Sequence, residues 1–140
     1  MEYPFRIRTR VQWGDTDVSG RIHFAAIFKY LEEADHELWR ASGVTYRELQ
    51  DEVHMPRVNV SCDYRAAMVY DDQIEIVTTI TRLGRTSVTY RFDVLRDGEL
   101  MAEAAMTLVC VSVATGRPVP IPERFAEVVR PLIERHNASH

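Results

Sequence analysis

Two carboxylates, Asp15 and Asp17, flank Thr16 in the polar turn Gly14-Asp15-Thr16-Asp17-Val18-Ser19-Gly20, directly ahead of a segment with helical periodicity. An aspartate in that position can simply cap a helix. Its oxygen accepts from the free N–H groups of the first turn, and its charge complements the helix dipole. The same juxtaposition also has a chemical reading. Free N–H groups can hold an oxyanion, and a carboxylate beside them can attack a carbonyl or activate a water. The two together form half of an acyl-transfer site. Gly20 lets backbone approach a ligand closely. His23 follows the turn and offers the side-chain type best suited to proton exchange near neutral pH, although a histidine at a helix start more often satisfies a polar or interface contact.

Other candidates are weaker on their residue types alone. Trp13 can line a pocket or pack in the core. Glu32, Glu33 and Glu37 read as a solvated helical face. Cys62 sits mid-strand, without the basic or helix-terminal setting that activates a thiol. No G-x-S-x-G elbow is present, so an α/β-hydrolase route is not supported.

These groups must be positioned by the elements around them. Ile27, Tyr30, Leu31, Ala34, Leu38 and Ala41 recur at steps of three and four, which is helical spacing. Lys29, Glu32, Glu33, Asp35, Glu37 and Arg40 fill much of the remaining surface, and Gly43 is placed to end the helix in the left-handed conformation. The helix is expected to start near Ile22, which gives about twenty residues and a length of about 30 Å. Such a helix needs a broad sheet beneath it. Phe5–Trp13, Arg57–Arg65, Gln73–Leu83, Thr86–Leu95 and Glu99–Ala114 supply strand patterns. Asp97-Gly98 is a hairpin signal, and the apolar character of both faces of Glu99–Ala114 predicts a central strand. A short helical turn is expected at Tyr46–Leu49. A final helix begins at Pro122-Glu123, with Pro131 expected to kink or split it. The order predicts an α+β fold in which one antiparallel sheet of about five strands wraps a long central helix.

A chain of 140 residues suggests one domain spanning 1–140. The net charge of −4 gives nucleic-acid binding no electrostatic support. No run approaches the roughly 18 apolar residues of a membrane span. With two cysteines and no secretory signal at the start, the expected compartment is the cytoplasm. A sheet around one helix leaves edges to cover, so self-association is expected.

The segment Asp15-Thr16-Asp17-x-x-Gly20, the aromatic-rich helix start and Tyr30-Leu31-Glu32-Glu33-Ala34 resemble the acyl-CoA thioesterases of the hotdog fold. The match is to the 4-hydroxybenzoyl-CoA and Tol–Pal-associated branch, and Leu83-Gly84-Arg85-Thr86-Ser87 resembles that branch's loop between strands. The resemblance implies Asp17 as catalytic carboxylate and the Phe24 backbone N–H as the group that polarises the thioester carbonyl. It implies an active site completed by a partner subunit in a dimer or tetramer, and Arg85 and Ser87 near the CoA phosphates. It implies no metal and no bound cofactor, because CoA arrives with the acyl substrate. One departure concerns His23. Tol–Pal-associated members carry a histidine directly after an aromatic, whereas here His23 precedes Phe24. Related alternatives are an acyl-carrier-protein thioesterase, a hotdog dehydratase or hydratase, and a non-catalytic acyl-thioester binding protein.

Overall fold

Side-chain alternation builds the sheet. In the computed structural model, which describes residues 1–140, β1 (Phe5–Arg10) alternates half-buried and exposed residues throughout. β3 (Arg57–Tyr64), β4 (Gln73–Leu83), β5 (Ser87–Arg96) and β6 (Glu99–Val109) complete one antiparallel sheet of five strands in the order β1-β4-β5-β6-β3. The two-residue strands β2 (Val53–His54) and β7 (Val111–Ser112) pair separately. Asp97 and Gly98 both take positive φ, 50° and 79°, the backbone of the predicted hairpin turn.

The central helix α1 (Ile27–Ser42) and the C-terminal helix α3 (Glu123–Ala138) close the core. Ile27, Leu31, Ala34, Leu38 and Trp39 on α1 are fully buried with Ile74, Tyr90, Phe92 and Leu108 from the sheet. Each large side chain of this kind contributes about 1.5–3 kcal/mol by leaving water. Phe125 of α3 stacks on Trp39 with ring centroids 3.7 Å apart. α2 (Tyr46–Leu49) is the predicted helical turn, begun by a Thr45–Glu48 capping box. Gly43 ends α1 at φ 93°, donating its N–H to the Arg40 carbonyl.

Several boundaries differ from expectation. β1 stops at Arg10, because Trp13–Asp15 form a 3-10 turn, braced by the Thr16 hydroxyl donating to the Trp13 carbonyl at 2.7 Å. α1 starts at Ile27 rather than near Ile22, since Arg21 and Ile22 are held extended in bridges to Val69 and Thr16. The last long strand breaks at Cys110. The Cys110 N–H donates to the Thr86 carbonyl, and Val111 turns away to pair with β2. β6 is interior to the sheet, paired with β5 on one side and β3 on the other, as its two apolar faces predict, and Met106 and Leu108 face the core. α3 runs through Pro131 without splitting. Asp35 is fully buried rather than part of the solvated face of α1.

Candidate active site

The Asp17 turn is a small hairpin. Thr16 bridges Ile22, the Asp17 N–H donates to the Arg21 carbonyl at 2.8 Å, and the Gly20 N–H donates to the Asp17 carbonyl at 3.0 Å. Gly20 sits at φ 80°, a conformation that glycine adopts without steric cost. No heavy atom lies within 4 Å of a Cβ built there, so backbone conformation rather than crowding calls for the glycine.

The turn presents the Asp17 carboxylate to solvent. Its Oδ1 accepts from the Ser19 N–H at 2.8 Å and from the Ser19 hydroxyl. The Ser19 hydroxyl and then its N–H hold the carboxyl below its ordinary range, with a smaller contribution from the nearby His23. Asp17 is therefore ionised at neutral pH and keeps Oδ2 free of hydrogen bonds within the chain.

Phe24 lies in the turn just before α1 and is 72% exposed. Its carbonyl accepts from the Tyr64 hydroxyl, and its N–H donates to no acceptor in the chain. Asp17 and Phe24 line one cavity of about 410 Å³, together with Ile22, Tyr64, Arg65 and Met68. A residue with an ionised carboxylate and one with an unsatisfied backbone N–H thus line the same cavity. The His23 ring stacks on Phe24 with centroids 4.6 Å apart, and its Nδ1 accepts from the Ala25 N–H at 3.1 Å. That bond leaves Nε2 as the donor-capable nitrogen.

Asp15 plays a different part. It is buried, its Oδ1 accepts from Lys29 Nζ at 2.7 Å, and its carbonyl accepts from the His23 N–H at 2.7 Å. It braces the turn against the helix.

The remaining predicted residues are not gathered around Asp17 within one chain. Trp13 is 75% exposed and packs edge-on to Tyr70, so the core-packing alternative does not hold, and it stands outside the Asp17 cavity lining. Arg85 and Ser87 lie at the far end of the sheet. Arg10 pairs with Gln73 at the site end of β4, whereas Arg85 follows Leu83 at the other, a strand length of about 33 Å. Glu32 and Glu33 are exposed and Glu37 is half-buried. Burial pushes the Cys62 thiol up, against a nucleophilic role. No group of three or more His, Cys, Asp or Glu side chains is arranged to hold a metal ion. Sequence reasoning missed Tyr64, whose contact with Phe24 spans 40 residues. Its only sequence signal was a strand-end aromatic.

Residues 11–129 match the thioesterase-like superfamily. The acyl-CoA thioester hydrolase YbgC of Escherichia coli O157:H7 is 29% identical over 121 residues, 85% of this chain and 90% of that protein. A 1,4-dihydroxy-2-naphthoyl-CoA hydrolase of Synechococcus elongatus is 25% identical over 126 residues, 88% and 93% of the two chains. The crystal structure of a hypothetical protein from Aquifex aeolicus superposes with a TM-score of 0.84 at 32% identity, covering 89% of this chain and 98% of that one. The five-stranded antiparallel sheet on a long helix is the hotdog fold, and this chain belongs to the thioesterase-like superfamily.

Proposed function

We propose that the protein hydrolyses acyl-CoA thioesters to a free acid and CoA, in the manner of the 4-hydroxybenzoyl-CoA and Tol–Pal-associated branch. The observation that carries this reading is the cavity that Asp17 and Phe24 line together, Asp17 bringing an ionised carboxylate and Phe24 a backbone N–H with no acceptor in the chain. The thioester carbonyl oxygen accepts from the Phe24 N–H. Asp17 then either attacks the carbonyl carbon, giving a mixed anhydride that water hydrolyses, or takes a proton from an attacking water. Negative charge that builds on the carbonyl oxygen is stabilised by the N–H, and CoA departs as its thiolate, which takes the proton held by Asp17 on the general-base route or one from water on the nucleophilic route. This chemistry draws on protein groups and asks for no metal or resident cofactor. The free cysteines Cys62 and Cys110 suit the cytoplasm as its compartment.

The site is read as complete only in a dimer. β3 is an edge strand whose Val58 and Val60 are 59% and 48% exposed, a surface that calls for a partner. Antiparallel pairing of two β3 strands about a twofold axis sets the Arg57 end of one beside the Tyr64 end of the other. Arg57 pairs with Leu108, and Ser87 pairs with Val109, so the Arg85–Ser87 loop lies toward that same end. The pairing thus carries the partner subunit's Arg85 and Ser87 toward Asp17, where they meet the CoA moiety.

The test is CoA release by wild type and Asp17→Asn across short, medium, long and aromatic acyl-CoAs. Asparagine keeps the shape and can still accept the Ser19 bonds. The reading expects wild type to turn over some member and the folded variant to lose about a hundredfold or more. Equal rates would assign Asp17 a structural role. No turnover by either would favour a carrier-protein thioester or a binding function.

A further inference from the structure

A second cavity lies away from the Asp17 turn, between α1, α2 and the segment leading into β3. Its volume is about 580 Å³, within the range of small-molecule sites. It shares no lining residue with the Asp17 cavity. His36, Arg40, Arg47, His54 and Arg57 line it, and no Asp or Glu does. This is against the grain of a chain in which 21 acidic residues outnumber 17 basic ones.

The part of this wall around Arg57 is built rather than incidental. Arg57 donates through Nη2 to Asp35 Oδ2 at 2.7 Å and through Nη1 to the Met55 carbonyl at 2.8 Å. Its guanidinium lies 5.7 Å from the Tyr46 ring centroid. Tyr46 is itself fixed, donating to Asp35 Oδ2 at 2.6 Å and meeting the His36 ring edge-on at 4.5 Å. Buried Asp35 Oδ1 and Arg57 Nε are left with no hydrogen-bond partner. Around this fixed core, Arg40 pairs with Glu37, whereas Arg47 forms an ion pair with no carboxylate. Arg57 and Tyr46, held by these bonds, need no reorganisation on binding, and guanidinium groups match the planar geometry of an oxyanion.

We propose that this groove is a binding site for a small oxyanion, a carboxylate or phosphate carried by a small molecule. Two sources share that chemistry. One is a free anion. The other is the charged end of an acyl group held by a second copy, because twofold β3 pairing sets the Arg57 end of one subunit beside the partner's Phe24–Tyr64 corner. Only this second source rests on the hydrolase reading.

The experiment uses the full chain with Arg47→Glu and His54→Ala, both at exposed positions whose change leaves the buried core intact. Calorimetric titration with inorganic phosphate and with succinate, at constant ionic strength set by chloride, is the first arm. Wild type is expected to bind at least one of them, and Arg47→Glu to bind it about tenfold more weakly. No binding beyond chloride, or equal binding by both variants and wild type, overturns the proposal. The second arm compares kcat/KM for succinyl-CoA and butyryl-CoA. A loss by Arg47→Glu confined to succinyl-CoA assigns the anion to the acyl end, and an unchanged ratio assigns a free anion. The titration reads out whether or not any CoA ester is hydrolysed, so the two readings fail separately.

Discussion

The Tyr30 hydroxyl donates to Asp15 Oδ2 at 2.6 Å and accepts from the Gln12 N–H at 2.9 Å. One hydroxyl therefore ties the segment that follows β1, the carboxylate turn and the first turn of α1 into a single unit. Burial and the neighbouring Asp15 push its pKa up to about 12, so it stays a donor. Tyr30→Phe removes that hydroxyl and strands a buried carboxylate oxygen and the Gln12 N–H. The expected cost is about 2 kcal/mol of stability, read from the urea midpoint at neutral pH.

The same knot predicts an acid response. Lys29, and after it Tyr30, hold the Asp15 carboxyl below its ordinary range. A carboxyl depressed in the folded state contributes stability above its unfolded pKa and loses it as pH falls through the folded pKa. Wild type should therefore lose stability on acidification below about pH 4. Asp15→Asn, less stable at pH 7, should show a shallower fall over the same window. Urea midpoints taken from neutral pH downward check both, and parallel curves would remove Asp15 from the acid transition.

Much of this arrangement was legible from local pattern. The stripe Ile27–Leu31–Ala34–Leu38 marked α1, alternation marked the strands, and Asp97-Gly98 marked a turn whose φ values follow. What was not legible depends on contacts distant in sequence. The start of α1 is delayed because Arg21 pairs with Val69, 48 residues on, and nothing in the local spacing carries that. Asp35 looked solvated because its partners, Tyr46 and Arg57, lie beyond the helix. Asp17 was legible as a chemical group, but its cavity also needs Tyr64 and Met68.

Ser19 tunes Asp17. Its hydroxyl is the largest influence lowering that carboxyl. Under the hydrolase reading, Ser19→Ala should raise the Asp17 pKa and move the acid limb of the kcat/KM profile to higher pH. Activity at neutral pH should change little, because the carboxylate is ionised there in both proteins. A profile whose acid limb does not move would separate that limb from Asp17.

The Asp35–Arg57 pair joins the middle of α1 to the start of β3, with Asp35 0% exposed. Breaking such a pair leaves an uncompensated buried charge, so Arg57→Met should cost about 3–5 kcal/mol. The double variant Asp35→Leu, Arg57→Met should recover much of that loss, since the charge is removed with its partner. A double-mutant cycle in urea measures the coupling. Additive losses would show that the two side chains do not act as a pair.

The exposed edge of β3 carries the last prediction. Val60 pairs with Met106 of β6 on one side and has no strand neighbour on the other. If two β3 strands join there, Val60→Glu sets two carboxylates near one another at the junction, where like charges facing across strands destabilise the pairing. Within one chain Val60 is exposed, so the substitution should leave the monomer fold intact by circular dichroism. Sedimentation should then show wild type as a dimer or larger and the variant shifted to monomer. Because the partner subunit's Arg85 and Ser87 would leave with the dimer, hydrolysis should fall together with association. A monomeric variant that keeps full activity would mean that one chain suffices, and the Asp17 cavity alone would then have to bind CoA.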